Sequence, residues 1–185
     1  KTNIPRVLFV TSHPWDFTDE MIKVIAEYPN IMPYIHLPLQ SGSSKILKLM
    51  GRRYTKEEYL ELFDKMKKEI PGVAISTDII VGFPGETEED FIESMDFINS
   101  MKFSKIHVFP YSIRKGTAAA SMPEQILESV KKERVRKLMN LSEKLEQEYY
   151  KKFVGKEVDI LVEEVYNGVS VGHTSNYLKI EINKE

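Results

Sequence analysis

The segment Thr77-Asp78-Ile79-Ile80-Val81-Gly82-Phe83-Pro84-Gly85-Glu86-Thr87 is an apolar strand, then a glycine-rich turn, then the start of a helix. It sets an acidic side chain beside bare backbone. Gly82 and Gly85 remove side chains from the turn, so a flat or anionic ligand can approach amides at the helix N-terminus. Any tight strand-to-helix junction also uses glycine, so the turn alone leaves the ligand open. The other polar residues narrow it. Gln40 and Ser41 follow one apolar run, Asp78 lies within another, and the run His107 to Ser112, with Tyr111, leaves a third. A carboxylate such as Asp78 can accept from both hydroxyls of a ribose, and Gln40 can donate and accept beside it. Arg52 offers a guanidinium fork for a carboxylate or phosphate. The backbone at Gly82-Phe83 can read the edge of an adenine. Together these residues describe a pocket for a nucleoside that carries a carboxylate or phosphate. Each also has a local alternative: Asp78 as a cap, Gln40 and Ser41 as a turn, Arg52 as a surface cation. His13, His36, His107 and His173 show no ligand spacing such as His-x-x-x-His, so they read as structural or polar pocket residues rather than metal ligands.

The elements that must position this set follow from patterning. Four apolar, β-branched runs recur at about 30 to 40 residues, each followed by a helical pattern. Strand-like Arg6–Thr11 leads to a helix near Thr18–Glu27, with Thr18 as N-cap and Asp19 and Glu20 in its first turn. Tyr34–Leu39 leads through Gln40-Ser41-Gly42-Ser43 to a short helix near Ser44–Met50. Thr55 and Glu58 have capping-box spacing for a helix over Thr55–Glu69. Val73–Val81 leads to Thr87–Met101, and Lys105–Pro110 ends in the loop Tyr111–Ser121. This alternation predicts right-handed βαβ units and a parallel sheet, an α/β fold. Ligands of such sheets lie at the carboxyl ends of the strands. Four units are few for a closed barrel, so residues 1–122 read as part of one. Trp15 is expected near its mouth, packed there or against a flipped base.

Residues 123–153 read as one charged helical stretch that packs on the barrel and links to the tail. Val130, Val135, Leu138, Leu141 and Leu145 keep an apolar stripe. Lys131, Lys132, Arg134, Arg136 and Lys137 are expected on a solvated face. From residue 154 to 185 the pattern changes to alternation: Val158, Ile160 and Val162, then Val169 and Val171, then Leu178, Ile180 and Ile182. Asn167-Gly168 is a strong hairpin signal. Three strands without a helix predict a small, incomplete β-domain.

The 185-residue chain has 42% hydrophobic residues, a net charge of −2 and no cysteine. That suits a medium domain with a real core and gives no global pull toward nucleic acid or membrane. It holds neither a disulfide framework nor a thiolate metal site. No apolar run of about 18 residues suggests a membrane span, and cytoplasmic residence is the expectation. A start at Lys1 followed almost at once by a strand suggests a piece of a longer polypeptide.

Four stretches carry a resemblance: His36-Leu37-Pro38-Leu39-Gln40-Ser41-Gly42-Ser43, Met50-Gly51-Arg52-Arg53-Tyr54-Thr55, Thr77–Thr87, and Tyr111-Ser112-Ile113-Arg114-Lys115-Gly116-Thr117. With them the sequence resembles the radical S-adenosylmethionine (radical SAM) methylthiotransferases of tRNA over most of residues 6–155. Gly51–Thr55 and His107–Ser112 look most like the MtaB branch, which converts N6-threonylcarbamoyladenosine at position 37, in the anticodon loop, to its 2-methylthio form. Branches acting on isopentenyladenosine or on a ribosomal protein are close competitors. The resemblance implies the distal part of a partial (βα)6 TIM-like barrel with S-adenosylmethionine across the strand ends. Gln40 and Asp78 would contact the ribose, Arg52 the carboxylate, and Val81–Phe83 the adenine through backbone, with Ser41 and Tyr111 nearby. It further implies that residues from about 154 begin a TRAM domain, a small β-barrel that grips tRNA. Lys152, Lys156, Tyr177, Lys179 and Arg114 would then be RNA contacts. The family holds [4Fe–4S] clusters through cysteines that this chain lacks, so the cluster ligands would lie upstream of Lys1 and the chain alone would be inactive. Electron donor and sulfur source are left open. Coproporphyrinogen-oxidase-like radical SAM enzymes share the Gln–Arg–Asp arrangement, and a cluster-free nucleoside- or RNA-binding module is the reading from a different class.

Overall fold

The computed structural model describes residues 4–8 and 13–183. Its first sheet is formed by β1 (Tyr34–His36), β2 (Ala74–Val81) and β3 (Lys105–Pro110). These strands run parallel in the order β1-β2-β3. Parallel neighbours need crossovers, and helices supply them. α2 (Ser44–Leu49) and α3 (Lys56–Glu69) lie between β1 and β2, α4 (Glu88–Met101) lies between β2 and β3, and α1 (Asp19–Glu27) precedes β1.

Helix starts fall where capping chemistry puts them. Thr18 Oγ1 accepts from Met21 N–H, and Thr55–Glu58 and Thr87–Asp90 each close a full capping box. β1 is shorter than the expected Tyr34–Leu39 for a local reason. Pro38 has no N–H, and Leu39 N–H donates to Thr77 Oγ1 at 2.8 Å rather than to a ladder carbonyl. Pairing resumes only as a single bridge between Gln40 and Ile79. Of the expected strand Arg6–Thr11, residues 9–11 lie outside the described residues, and Val7 makes one parallel bridge to Ile31.

One face of the sheet is buried under helices. Ile35, Leu37, Ile75, Ile79 and Ile106 pack with Phe63, Met66, Phe91, Ile98 and Phe103. The long helix α5 (Glu128–Lys151) completes this core with Leu138 and Leu145. It begins later than the sequence pattern suggests, because Glu124 takes φ +60, a left-handed conformation that a helix cannot continue through. Its charges divide in two. Lys132, Arg136 and Lys137 are exposed as expected, but Lys131 and Arg134 are buried. The opposite face of the sheet carries Lys105, His107 and Phe109, all exposed on β3.

β4 (Ile160–Tyr166), β5 (Val169–Thr174) and β6 (Lys179–Asn183) form a separate antiparallel sheet. Asn167 and Gly168 join β4 to β5 with φ +48 and +79, as a type I′ hairpin requires. Leu178, leading into β6, is buried with Tyr149 of α5 and Ala74 of β2. Arg6 Nη1 donates to His173 O at 2.8 Å, so the second sheet is also tied to the chain's start.

Candidate functional site

A cavity of about 460 Å³ opens at the carboxyl ends of the parallel strands, lined among others by Gln40, Arg52, Asp78, Phe83, Tyr111 and Arg114. Gln40 is buried and holds φ +75, a conformation costly for a residue with a side chain. It persists because both sides of the residue are fixed. Gln40 N–H donates to Asp78 O, and Ile80 N–H donates to Gln40 O, each at 2.9 Å.

Two buried polar groups on this cavity, Arg52 Nε and Tyr111 Oη, have no partner among the described residues. Buried polar atoms are normally satisfied, so both indicate a ligand that supplies the missing partners. Arg52 Nη1 meets His13 Nε2 at 2.9 Å. A guanidinium only donates, so Nε2 accepts and the imidazole is neutral. Burial first, and the Arg52 charge second, hold the His13 pKa below its usual 6.5. Asp78 Oδ2 faces His36 Nε2 at 3.3 Å.

The glycine turn is built differently from the expectation. Gly82 N–H is taken by Glu86 Oε2 at 2.6 Å. A Cβ on Gly82 would lie 2.2 Å from Lys131 Cγ, so the missing side chain makes room for a lysine stem rather than for a ligand. Lys131 Nζ crosses to donate to Tyr111 O at 3.1 Å. Arg134 donates to Glu86 Oε2 at 2.6 Å and to Glu86 O at 3.0 Å, and both side chains are buried. Burial pushes the Glu86 carboxyl above its usual value, opposed by the Gly82 amide and Arg134. The N-terminus of α4 is closed as well, because Asp90 accepts from Thr87 N–H and Thr87 Oγ1 accepts from Asp90 N–H. No anionic ligand is needed there. The turn still leaves Phe83 N–H and Gly82 C=O without a protein partner among the described residues, a donor and an acceptor that match an adenine edge.

Gln40, Arg52, Asp78, Phe83 and Tyr111 are thus brought together, while Ser41 and Val81 are not on the cavity. Ser41 is buried and its Oγ accepts from Ser43 N–H, the local-turn role. Val81 is buried, with its carbonyl taken by Tyr111 N–H at 2.8 Å. Trp15 is 57% exposed rather than packed. Among the residues expected to meet RNA, Arg114 lies on the cavity and the rest do not. Lys152 lies over the Tyr149 ring and Lys156 over the Phe153 ring. Lys179 pairs with Glu181. The Tyr177 ring is already stacked on Tyr34 and His173, at centroid distances of 4.5 and 4.4 Å, so it does not stand free for a base. Sequence spacing missed His13 as the partner of Arg52, and Lys131 and Arg134 as the supports of the turn.

The model of the radical SAM superfamily matches residues 1–98. The chain belongs to the radical SAM superfamily. It is 56% identical over 157 residues to a Fusobacterium nucleatum protein named tRNA-2-methylthio-N(6)-dimethylallyladenosine synthase, covering 85% of this chain and 36% of that protein. A Thermoanaerobacter pseudethanolicus protein of the same name is 49% identical over 160 residues, covering 86% of this chain and 34% of the relative. The chain therefore spans about a third of these curated relatives, 36% and 34% of their lengths. Two solved structures share the radical SAM fold at low identity. Escherichia coli coproporphyrinogen III oxidase aligns with TM-score 0.57 at 15% identity, over 69% of this chain and 29% of that one. Methanocaldococcus infernus Elp3 aligns with TM-score 0.56 at 14% identity, over 97% and 57%.

The superfamily implies S-adenosylmethionine and iron–sulfur clusters. The cavity fits the first: two orphaned buried donors, a carboxylate and a glutamine converge on it. The second does not fit these residues, since no cysteine thiolate is present to ligate iron.

Proposed function

We propose that this chain is the distal part of the barrel of a radical SAM methylthiotransferase that modifies an N6-substituted adenosine at position 37 of tRNA, and that it supplies one side of the cofactor pocket. The observation that carries the pocket assignment is the pair of unpartnered buried groups, Arg52 Nε and Tyr111 Oη, on one cavity with Gln40 and Asp78. Arg52 takes the carboxylate of S-adenosylmethionine, Asp78 and Gln40 take the ribose hydroxyls, and Phe83 N–H with Gly82 C=O reads the adenine. His13 holds Arg52 in place. The cofactor supplies radical chemistry once bound and reduced in the intact protein. This chain's share is to bind, orient and exclude water.

For the substrate, the relatives' names support a dimethylallyl adenosine over the threonylcarbamoyl form that Gly51–Thr55 suggested. Residues 1–122 then form part of a (βα)6 barrel, 123–153 the packing helix, and 154–185 the start of a TRAM-like domain that binds tRNA. A tRNA substrate is in keeping with cytoplasmic residence. No described helix is long and apolar enough to cross a membrane. The substrate test is product analysis by mass spectrometry of the intact, cluster-loaded protein, given tRNA with either modification. Conversion of the dimethylallyl form is expected. Conversion of the threonylcarbamoyl form alone would reverse the substrate assignment.

A further inference from the structure

On the open face of the parallel sheet, β1, β2 and β3 set three metal-ligating side chains side by side. His36, Asp78 and His107 each offer a ligand atom, all within 4.8 Å of one another. Register brings them together. Asp78 pairs with His107, and His36 pairs with Ser76, two residues before Asp78 and so on the same face. His36 is held in orientation: its Nδ1 is hydrogen-bonded to Ser76 Oγ at 2.9 Å, and that oxygen meets Tyr34 Oη at 2.8 Å. A second partner that fixes an imidazole is the usual support of a metal-ligating histidine.

The distance from His36 Nε2 to Asp78 Oδ2 is 3.3 Å. Charge-assisted hydrogen bonds of this kind run about 2.7–2.9 Å. A tetrahedron whose centre lies about 2.0–2.1 Å from each donor, the range for zinc with nitrogen or oxygen, has an edge of roughly 3.3–3.4 Å. The observed separation matches that edge. The ligands border a cavity of about 620 Å³, separate in its lining from the nucleoside cavity except at Asp78 and Phe109. Two lysines line it, and neither opposes a cation. Lys105 Nζ is held by Glu146 at 2.7 Å and Lys179 Nζ by Glu181 at 3.2 Å.

We infer that His36, Asp78 and His107 form a binding site for a zinc-type divalent cation, with its remaining coordination position open to the cavity. Donors of two nitrogens and one oxygen suit zinc and are unlike the thiolates of an iron–sulfur cluster. Asp78 has two oxygens, so Oδ2 can serve the cation while Oδ1 remains for the nucleoside side. The inference stands whether or not S-adenosylmethionine occupies the other cavity.

The test is calorimetric titration of the untagged, metal-stripped 185-residue chain with zinc chloride, with cobalt(II) absorption as a second probe. One equivalent of zinc is expected, bound more than about tenfold more weakly by His107→Ala and by His36→Gln. His173→Gln, whose imidazole pairs with Glu163, should bind as the wild type does. His107 is exposed, so its alanine variant keeps the fold, which circular dichroism verifies. Folded wild-type chain with no saturable zinc binding overturns the site, as does wild-type affinity in both histidine variants.

Discussion

Arg52 shows how much of a site can rest on one hydrogen bond. Its neighbour His13 has two hydrogen-bonding contacts among the described residues, 2.9 Å to Arg52 Nη1 and 3.4 Å from Trp15 N–H. A neutral imidazole can accept at only one nitrogen, and the shorter contact decides in favour of Nε2. Protonating His13 would turn this acceptor into a donor facing a guanidinium, with Asp16 the nearby acid and Arg53 a further cation. The sign follows from the lowered pKa. The neutral form is favoured in the fold, so its contribution is present above about pH 6.5 and is lost as the pH falls below it. S-adenosylmethionine affinity should therefore hold down to about pH 6.5 and drop below it. His13→Gln keeps an acceptor without a titrating group, so affinity at the upper pH should survive and the slope should flatten. An unchanged slope in that variant would remove His13 from the role. Gln40 and Tyr111 follow strands, Asp78 lies in β2 and Arg52 follows α2, so their placement at one end of the sheet could be read from the sequence. The placement of His13 could not, since its partner lies 39 residues away. His36, Asp78 and His107 escaped a spacing search because three separate strands bring them together.

Among the elements, α5 departs most from its sequence reading. A run of basic residues looks like a solvated face, yet Lys131 and Arg134 turn inward to hold the turn after β2. The reason is demand from the other side, since Glu86 is a buried acceptor and the Tyr111 carbonyl a partly buried one, and both require donors. Breaking a buried pair by removing one partner typically costs about 3–5 kcal/mol, so Arg134→Met should lower stability by that order in urea unfolding. A loss below about 1 kcal/mol would mean that Glu86 finds another donor. Gly82→Ala combines a left-handed φ of +73 with a clash against Lys131, and the backbone part alone costs on the order of 1–2 kcal/mol. Thermal denaturation measures it, and a stability equal to wild type would show that Lys131 does not cover the turn. The capped helices and the Asn167-Gly168 hairpin were readable because each signal lies within a few residues. The shortened β1 was not, because Thr77 takes the Leu39 amide from across the sheet.

For the molecule as a whole, the parallel sheet buries one face under helices and leaves the other face with polar and aromatic side chains around two cavities. Parallel sheets are normally covered on both sides. The second sheet covers one end of that face through Tyr177 and Leu178. If residues 154–185 carry the tRNA-binding role, deleting them from the intact protein should abolish the tRNA gel shift and leave S-adenosylmethionine binding unchanged. A retained shift would move RNA recognition to the barrel, where Arg114 borders the nucleoside cavity. On the proposed reading, this cavity holds S-adenosylmethionine through Arg52. The most direct measurement is calorimetric titration of the cofactor into the intact, cluster-loaded protein and its Arg52→Ala variant. Saturable single-site binding is expected in the parent, with affinity lower by at least about tenfold in the variant. Equal affinity in both proteins, with both folded, would contradict it.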